Sequence, residues 1–295
     1  MFSNLIFNLK TPPITPPMKK PTLSALLALF TIGAYAQDFH VNFFAGVSNY
    51  QGDLQDKAMT FNQSHPAGGV GISYDIAKHF SIRTGITLGK ISGNDKYGRN
   101  KNRNLSFYSG LTEVNLGLEY YITAPIEKHS LTPYLFAGVA VYHYDPYTFD
   151  STGHKYFLQP LSTEGEGIVA GRKNYSLSQF AIPFGAGVKL SLSDNVNVGL
   201  EIGYRKLFTD YLDDVSTTYV DENLLLADRG AKAVELAYRG DELKNGVLQY
   251  PAAGTKRGDP GHKDSYYFTM LTLSFRLGGG SLGKYTEYRC PGSVL

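Results

Sequence analysis

The chain has 295 residues, enough for one large domain or two small ones, and 28 Lys and Arg stand against 26 Asp and Glu. A balance this even argues against a nucleic-acid surface, which needs a concentrated basic patch. The one cysteine, Cys290, excludes an internal disulfide and reads as an unused thiol in a tail.

The first informative element is near the N-terminus. Met18-Lys19-Lys20 is a short basic region, Leu23 to Ile32 an apolar run, and Ala34-Tyr35-Ala36 a small-x-small cleavage pattern that leaves Gln37 first. This is the pattern of a secretory signal peptide, and its apolar run is too short to span a bilayer as a helix. Pro12, Pro13, Pro16 and Pro17 fit such a signal badly. We therefore expect residues 1–17 to be an upstream extension, 18–36 the signal, 37–277 one domain and 278–295 a tail, with translation starting at Met18. N-terminal peptide mapping of the precursor would decide the start.

Eight segments then alternate apolar with polar or small residues, the period of a strand with one greasy face. The first is about Phe39–Ser48, with Val41, Phe43, Ala45 and Val47 on one face. The second is about Pro66–Ile76, the third about Phe80–Lys90 with Arg83 on the polar face, and the fourth about Ser106–Ile122 with Glu113 and Glu119 on that face. The fifth is about Pro133–Tyr144 and the sixth about Ser176–Leu192, with Lys189 on the polar face. The seventh, about Val196–Phe208, alternates most clearly: Val196, Val198, Leu200, Ile202 and Tyr204 oppose Asn197, Gly199, Glu201, Gly203 and Arg205. The eighth is about Ser265–Leu277, with Arg276 on the polar face.

The connectors alternate long and short. Together with the even strand number and the signal peptide, this predicts an all-β fold: an eight-stranded antiparallel up-and-down transmembrane β-barrel with short periplasmic turns, long extracellular loops and both termini periplasmic. A soluble sandwich also has alternating strands, but explains the connector lengths less well. The greasy faces would meet lipid and the charged faces the lumen. An eight-stranded barrel has an interior that side chains fill, so Arg83, Glu113, Glu119, Lys189, Glu201, Arg205 and Arg276 are expected to form an ion-pair network plugging it. A selective small pore is the rival reading. Tyr74, Tyr120, Tyr121, Tyr142, Tyr144, Tyr204, Tyr266 and Tyr267 near strand ends are expected to form interfacial girdles rather than a carbohydrate-stacking platform. Pro183, inside the sixth strand, calls for a local bulge.

Three loop segments carry candidate chemistry. His143, Asp145 and His154 match no metal-ligand spacing. Glu164-Gly165-Glu166-Gly167 is acidic but lacks the ordered oxygen spacing of a calcium loop. The run from Asp210 to Tyr219, rich in carboxylates and hydroxyls, shows no triad or paired-carboxylate arrangement. It reads as a packed cap or docking surface; a ligand-binding barrel, and third an outer-membrane enzyme using the carboxylates and hydroxyls of these long loops, are the alternative readings. No catalytic, cofactor or metal residue is assigned, and no cofactor is expected.

Six segments carry a family resemblance: Gly46-Val47-Ser48-Asn49-Tyr50-Gln51-Gly52-Asp53-Leu54; Arg103-Asn104-Leu105-Ser106-Phe107; Thr132-Pro133-Tyr134-Leu135-Phe136-Ala137-Gly138-Val139; Leu158-Gln159-Pro160-Leu161 with Thr163-Glu164-Gly165-Glu166-Gly167; Ile182-Pro183-Phe184-Gly185; and Phe208-Thr209-Asp210-Tyr211-Leu212-Asp213-Asp214-Val215-Ser216. Together they resemble the PorG-like outer-membrane barrels of Bacteroidota. The resemblance implies a role in the type IX secretion system, at the outer membrane, in association with the periplasmic ring of a lipoprotein and its partner, PorK and PorN. The family has no catalytic residues to carry over. The loop Thr209–Asp264 is longer than its pattern, and the tail Gly278–Leu295 falls on the periplasmic side as a candidate ring contact.

Overall fold

The computed structural model describes residues 39–55, 60–123 and 130–277. The signal peptide, the turn Pro125–Lys128, the tail and Cys290 lie outside them. The described elements run β1 (Phe39–Gln51), β2 (His65–Ala77), β3 (Phe80–Asn94), β4 (Ser106–Tyr121), β5 (Leu131–Phe149), β6 (Lys155–Phe157), β7 (Ser178–Ser193), β8 (Val196–Leu207), two short helices α1 (Glu222–Arg229) and α2 (Ala231–Ala237), and β9 (Ser265–Leu277).

Every long strand pairs antiparallel with its neighbours in sequence. β9 returns to β1 and β4 pairs with β5, so the sheet closes into an eight-stranded barrel. Closure satisfies each strand's backbone on both edges, which a sheet in lipid requires. β6 is an addition that sequence alternation does not reveal. Its three residues pair with Tyr147–Phe149 where β5 runs beyond the barrel wall.

The period of two sorts the faces. Val70, Ile72, Ile86, Leu88, Val114, Leu116, Leu135, Val139, Phe180, Leu200 and Leu271 are among the exposed apolar side chains of the outer wall. On β5 the outward apolar residues run from Leu131 to Val141, which at about 3.3 Å per residue and a tilt of about 40° gives a band about 25 Å tall, the height of a bilayer-facing belt.

Two expectations need correction. At Pro183 there is no bulge: β5 and β7 pair in one register from Leu131↔Leu190 to His143↔Ser178, and only the positions of Gly138 and Val139 lack partners. Proline has no N–H to donate, so the ladder loses bonds there without gaining a residue. The register shifts lie elsewhere, at Asp75/Ala77 and Ser191/Ser193 beside the tight turns. Of the expected girdle tyrosines, Tyr121, Tyr142, Tyr144 and Tyr266 are buried in the interior. Strand parity forces this, because Tyr142 and Tyr144 share a face with Phe136 and Ala140, and Tyr266 with Phe268 and Met270.

The main apolar core lies at the long-loop end of the barrel. Tyr50, Leu54, Phe107, Tyr142, Tyr144, Leu212, Val215, Tyr266 and Phe268 pack together there. A smaller cluster of Val220, Leu225, Ala233 and Ala237 holds α1 and α2. The segment after β8 is thus a folded lid over the barrel mouth.

Candidate functional site: the plugged lumen and its cap

The lower lumen is filled by interdigitated charges. Arg83 on β3 donates to Glu201 on β8 through both terminal nitrogens (2.5 and 3.0 Å) and to Glu119 on β4 (3.0 Å). Lys189 on β7 donates to the other oxygen of Glu119 at 2.5 Å. Higher up, Arg205 on β8 grips Glu113 on β4 in a two-bond fork of 2.9 and 3.0 Å, with Tyr266 donating to the same carboxylate at 2.7 Å. Tyr134 donates to Glu201 at 2.7 Å and Tyr121 to Glu119 at 3.1 Å. Arg83, Lys189 and Arg205 therefore match Glu113, Glu119 and Glu201 in charge. Buried charges are tolerated in this form, paired and hydrogen-bonded. Phe136 lies under Arg83 (4.5 Å to the ring centre) and Phe268 under Arg205 (4.4 Å). Glycine is required where rings cross the lumen: a Cβ on Gly187 would stand 2.5 Å from the Tyr134 ring.

Arg276 is the seventh residue expected in this set. It is near the end of β9, its N–H bonded to the carbonyl of Asn195 in the β7–β8 turn.

Above the aromatic core the cap has its own polar centre. Arg257 donates to Glu164 (3.1 Å) and to the carbonyl of Asp214 (2.6 Å), with its side chain 2 % exposed. Glu164 also accepts from the backbone N–H of Ser216 (2.9 Å) and Thr217 (2.8 Å) and from the Thr217 hydroxyl (2.6 Å). Arg103 forks onto Asp95 (2.7 and 2.8 Å) and donates to the carbonyls of Arg257 and Asp53. Asp213 accepts from Tyr50 (2.5 Å) and Asp214 from Thr163 (2.5 Å) and Tyr175 (2.7 Å). Asp264 accepts the Leu212 N–H at 2.9 Å and the Tyr50 hydroxyl at 3.2 Å. Four of the segments that carry the family resemblance, far apart in the chain, meet here through Tyr50, Arg103, Glu164 and Asp213-Asp214.

The loop candidates resolve accordingly. Glu164 and Glu166 are buried within the cap, and Gly165 and Gly167 take the left-handed conformation (φ 82° and 74°) that their turn needs. Asp210, Asp213 and Asp214 are buried and bonded to cap residues. His143 bonds Ser178 and His154 bonds Thr152, so their rings serve separate local contacts. Among the described residues no cluster of three or more His, Cys, Asp or Glu is arranged to hold a metal ion. The role of Arg103 and Arg257 was missed from sequence. Arg257 sits in a Gly-, Lys- and Pro-rich stretch without periodicity, and only its partners reveal its task.

Carboxylates outnumber cations in the cap, and burial shifts their titration. Desolvation raises Asp210 to about 7, Asp214 to about 6 and Glu166 to about 8, against the ordinary carboxylate value of about 4. It also raises Asp213 and Asp264, each beside other carboxylates. A folded-state value above the unfolded one means the folded cap holds protons that the unfolded segment releases. The stabilisation is complete below about pH 4 and is lost as pH rises through the folded values. Cleavage of the segment 209–264 by a broad-specificity protease, corrected for the protease's own pH profile, should quicken from pH 6 to 9. The double variant Asp210→Asn, Glu166→Gln should flatten that rise. A wild-type rate that falls over this range would contradict the argument.

Compared with solved structures, the barrel is similar to Neisserial surface protein A (10% identity, covering 81% of this chain and 96% of that one, TM-score 0.40). It is also similar to OprG from Pseudomonas aeruginosa (12%, covering 83% and 97%, TM-score 0.39) and to Ail, the attachment invasion locus protein of Yersinia pestis (10%, covering 81% and 97%, TM-score 0.37). No curated protein sequence matches the chain. One family model, described as a domain of unknown function, DUF6089, matches residues 20–228, and the chain belongs to that family.

Proposed function

We propose that this protein is a non-enzymatic outer-membrane component of a protein secretion machine, a PorG-like barrel of the type IX system. It anchors or organises periplasmic ring proteins (PorK- and PorN-like) from a barrel whose termini face the periplasm. The observation that carries the scaffold reading is the lumen: three cations are paired with three carboxylates across it, and a packed cap lies over its mouth. A conduit would need water where these side chains stand. The apolar outer wall supports a place in a bilayer, and export by a signal peptide makes that bilayer the outer membrane. The burial of Asp210, Asp213 and Asp214 supports a structural rather than a catalytic role for them. The secretion-system assignment rests on the six resembling segments.

Affinity purification of the full chain from detergent-solubilised membranes, read by mass spectrometry, should recover a periplasmic lipoprotein and its ring partner. Deletion should abolish secretion of the system's substrates. Recovery of neither ring protein, with secretion intact, would remove the assignment. In planar bilayers the purified barrel should give no steady conductance; reproducible single-channel steps would favour a small-solute pore instead.

A further inference from the structure

Outside the barrel, where β4 and β5 rise beyond the apolar belt, four aromatic rings form one surface. Tyr108 and Tyr147 stack with centroids 5.8 Å apart, and Phe149 and Phe157 stand edge-on to Tyr147 at 5.7 and 6.1 Å. Phe149 and Phe157 are 40 % and 43 % exposed. Two ammonium groups share the Tyr147 face: Lys155 at 3.8 Å and Lys90 at 5.7 Å from its ring centre, with Phe157 at 4.2 Å from the first and Tyr108 at 5.0 Å from the second. Among the described residues no ion pair joins either lysine to a carboxylate. Asp145, two positions before Tyr147 on the same face of β5, interacts electrostatically with Lys155, and against the two ammoniums it leaves these residues net positive.

The height of the patch decides its partner. The last outward apolar residues on this wall are Val141 on β5, Val114 opposite it on β4, and Leu88 on β3, which lies level with His143 through Thr112. Tyr147 is six residues beyond Val141 and four beyond His143. At about 3.3 Å per residue and a tilt of about 40°, it stands about 10–15 Å above the belt. A phospholipid headgroup layer is only about 5–8 Å deep on each side. A headgroup that reaches the patch must be taller, must offer flat faces to the rings and must carry negative charge for the ammoniums.

We propose that this patch is a docking site for the anionic saccharide headgroup of an outer-leaflet glycolipid, its phosphate or carboxylate groups meeting Lys90 and Lys155 and a sugar ring lying against Tyr147 and Phe157. The proposal rests on the reading that the long loops face outward, and orientation is tested apart from binding. For orientation, Leu248, 83 % exposed in the cap segment, is replaced by Cys in a Cys290→Ser background and treated on intact cells with a membrane-impermeant maleimide. Labelling is expected; its absence, with labelling restored after the outer membrane is breached, overturns the orientation and the docking site with it.

For binding, the full-length barrel in micelles is titrated with purified lipopolysaccharide and the bound lipid counted by native mass spectrometry. The wild type should retain it, and the double variant Lys90→Gln, Lys155→Gln should weaken retention about tenfold or more. Tyr147→Ala should weaken it as well, and dephosphorylated, carboxyl-reduced lipopolysaccharide should bind the wild type no better than the intact lipid binds the double variant. Unchanged retention by the folded double variant overturns the proposal. So does equal binding of phosphatidylglycerol, which carries charge without sugar, or of the free core saccharide, which lacks the lipid.

Discussion

Replacing Arg257 by Leu should open the cap while leaving the barrel closed. The guanidinium reaches Glu164, the carbonyl of Asp214 and the carbonyl of Ala237, and so ties two parts of the lid to the loop before β7. Both ends of its ion pair are buried, with side chains 2 % and 0 % exposed. Removing one partner of such a pair strands the other charge without water, at a cost of about 3–5 kcal/mol. Glu164 keeps its Ser216 and Thr217 donors, which places the loss toward the lower part of that range. The segment 209–264 should become sensitive to limited proteolysis, whereas the urea midpoint of the barrel in micelles should stay near the wild-type value, because the strand ladders do not pass through Arg257. Adding Glu164→Gln removes the stranded charge and should restore part of the protection. A lid as resistant as the wild type's in Arg257→Leu would mean that the apolar cluster around Leu225 and Ala233 holds it alone.

The second large effect is expected inside the wall. Arg205→Leu leaves Glu113, whose side chain is fully buried, facing Tyr266 and Asn115 without its cation. A loss of about 3–5 kcal/mol is expected, read as a lower urea midpoint of the barrel in micelles. The double variant Arg205→Leu, Glu113→Gln should recover most of it, since a neutral amide can still bond Tyr266 and Asn115 and no charge remains unpaired. If the double variant were as unstable as the single one, the packing of Arg205 on Phe268 would be the larger contribution.

These two sites differ in how they can be read. Strand parity alone assigns Arg205 and Glu113 to the inner face, so their meeting across the lumen follows once the barrel closes. Their pairing is a matter of register: Glu113 is on β4 and Arg205 on β8, strands without a common ladder, and only closure brings them into contact. Nothing local announces the Arg257–Glu164 pair. The two residues lie in irregular loops separated by much of the chain, and neither stretch has a period.

The same distinction runs through the molecule. Alternation at a period of two, punctuated by Gly, Asn and Asp turns, determined the eight long strands, their order and the face each side chain takes, because a strand's geometry leaves its side chains no third direction. It also determined the apolar wall and the inward charges. Tertiary structure decided what depends on contacts between distant segments. Tyr142, Tyr144 and Tyr266 lie near strand ends, as girdle residues would, yet parity and closure bury them as the floor of the cap. The run Asp210–Ser216 looks like an exposed acidic loop, but bonds from Tyr50, Thr163 and Tyr175 hold it inside. Burial of this kind depends on which loops meet over the barrel mouth, and loop meetings are set by packing that no repeating pattern records.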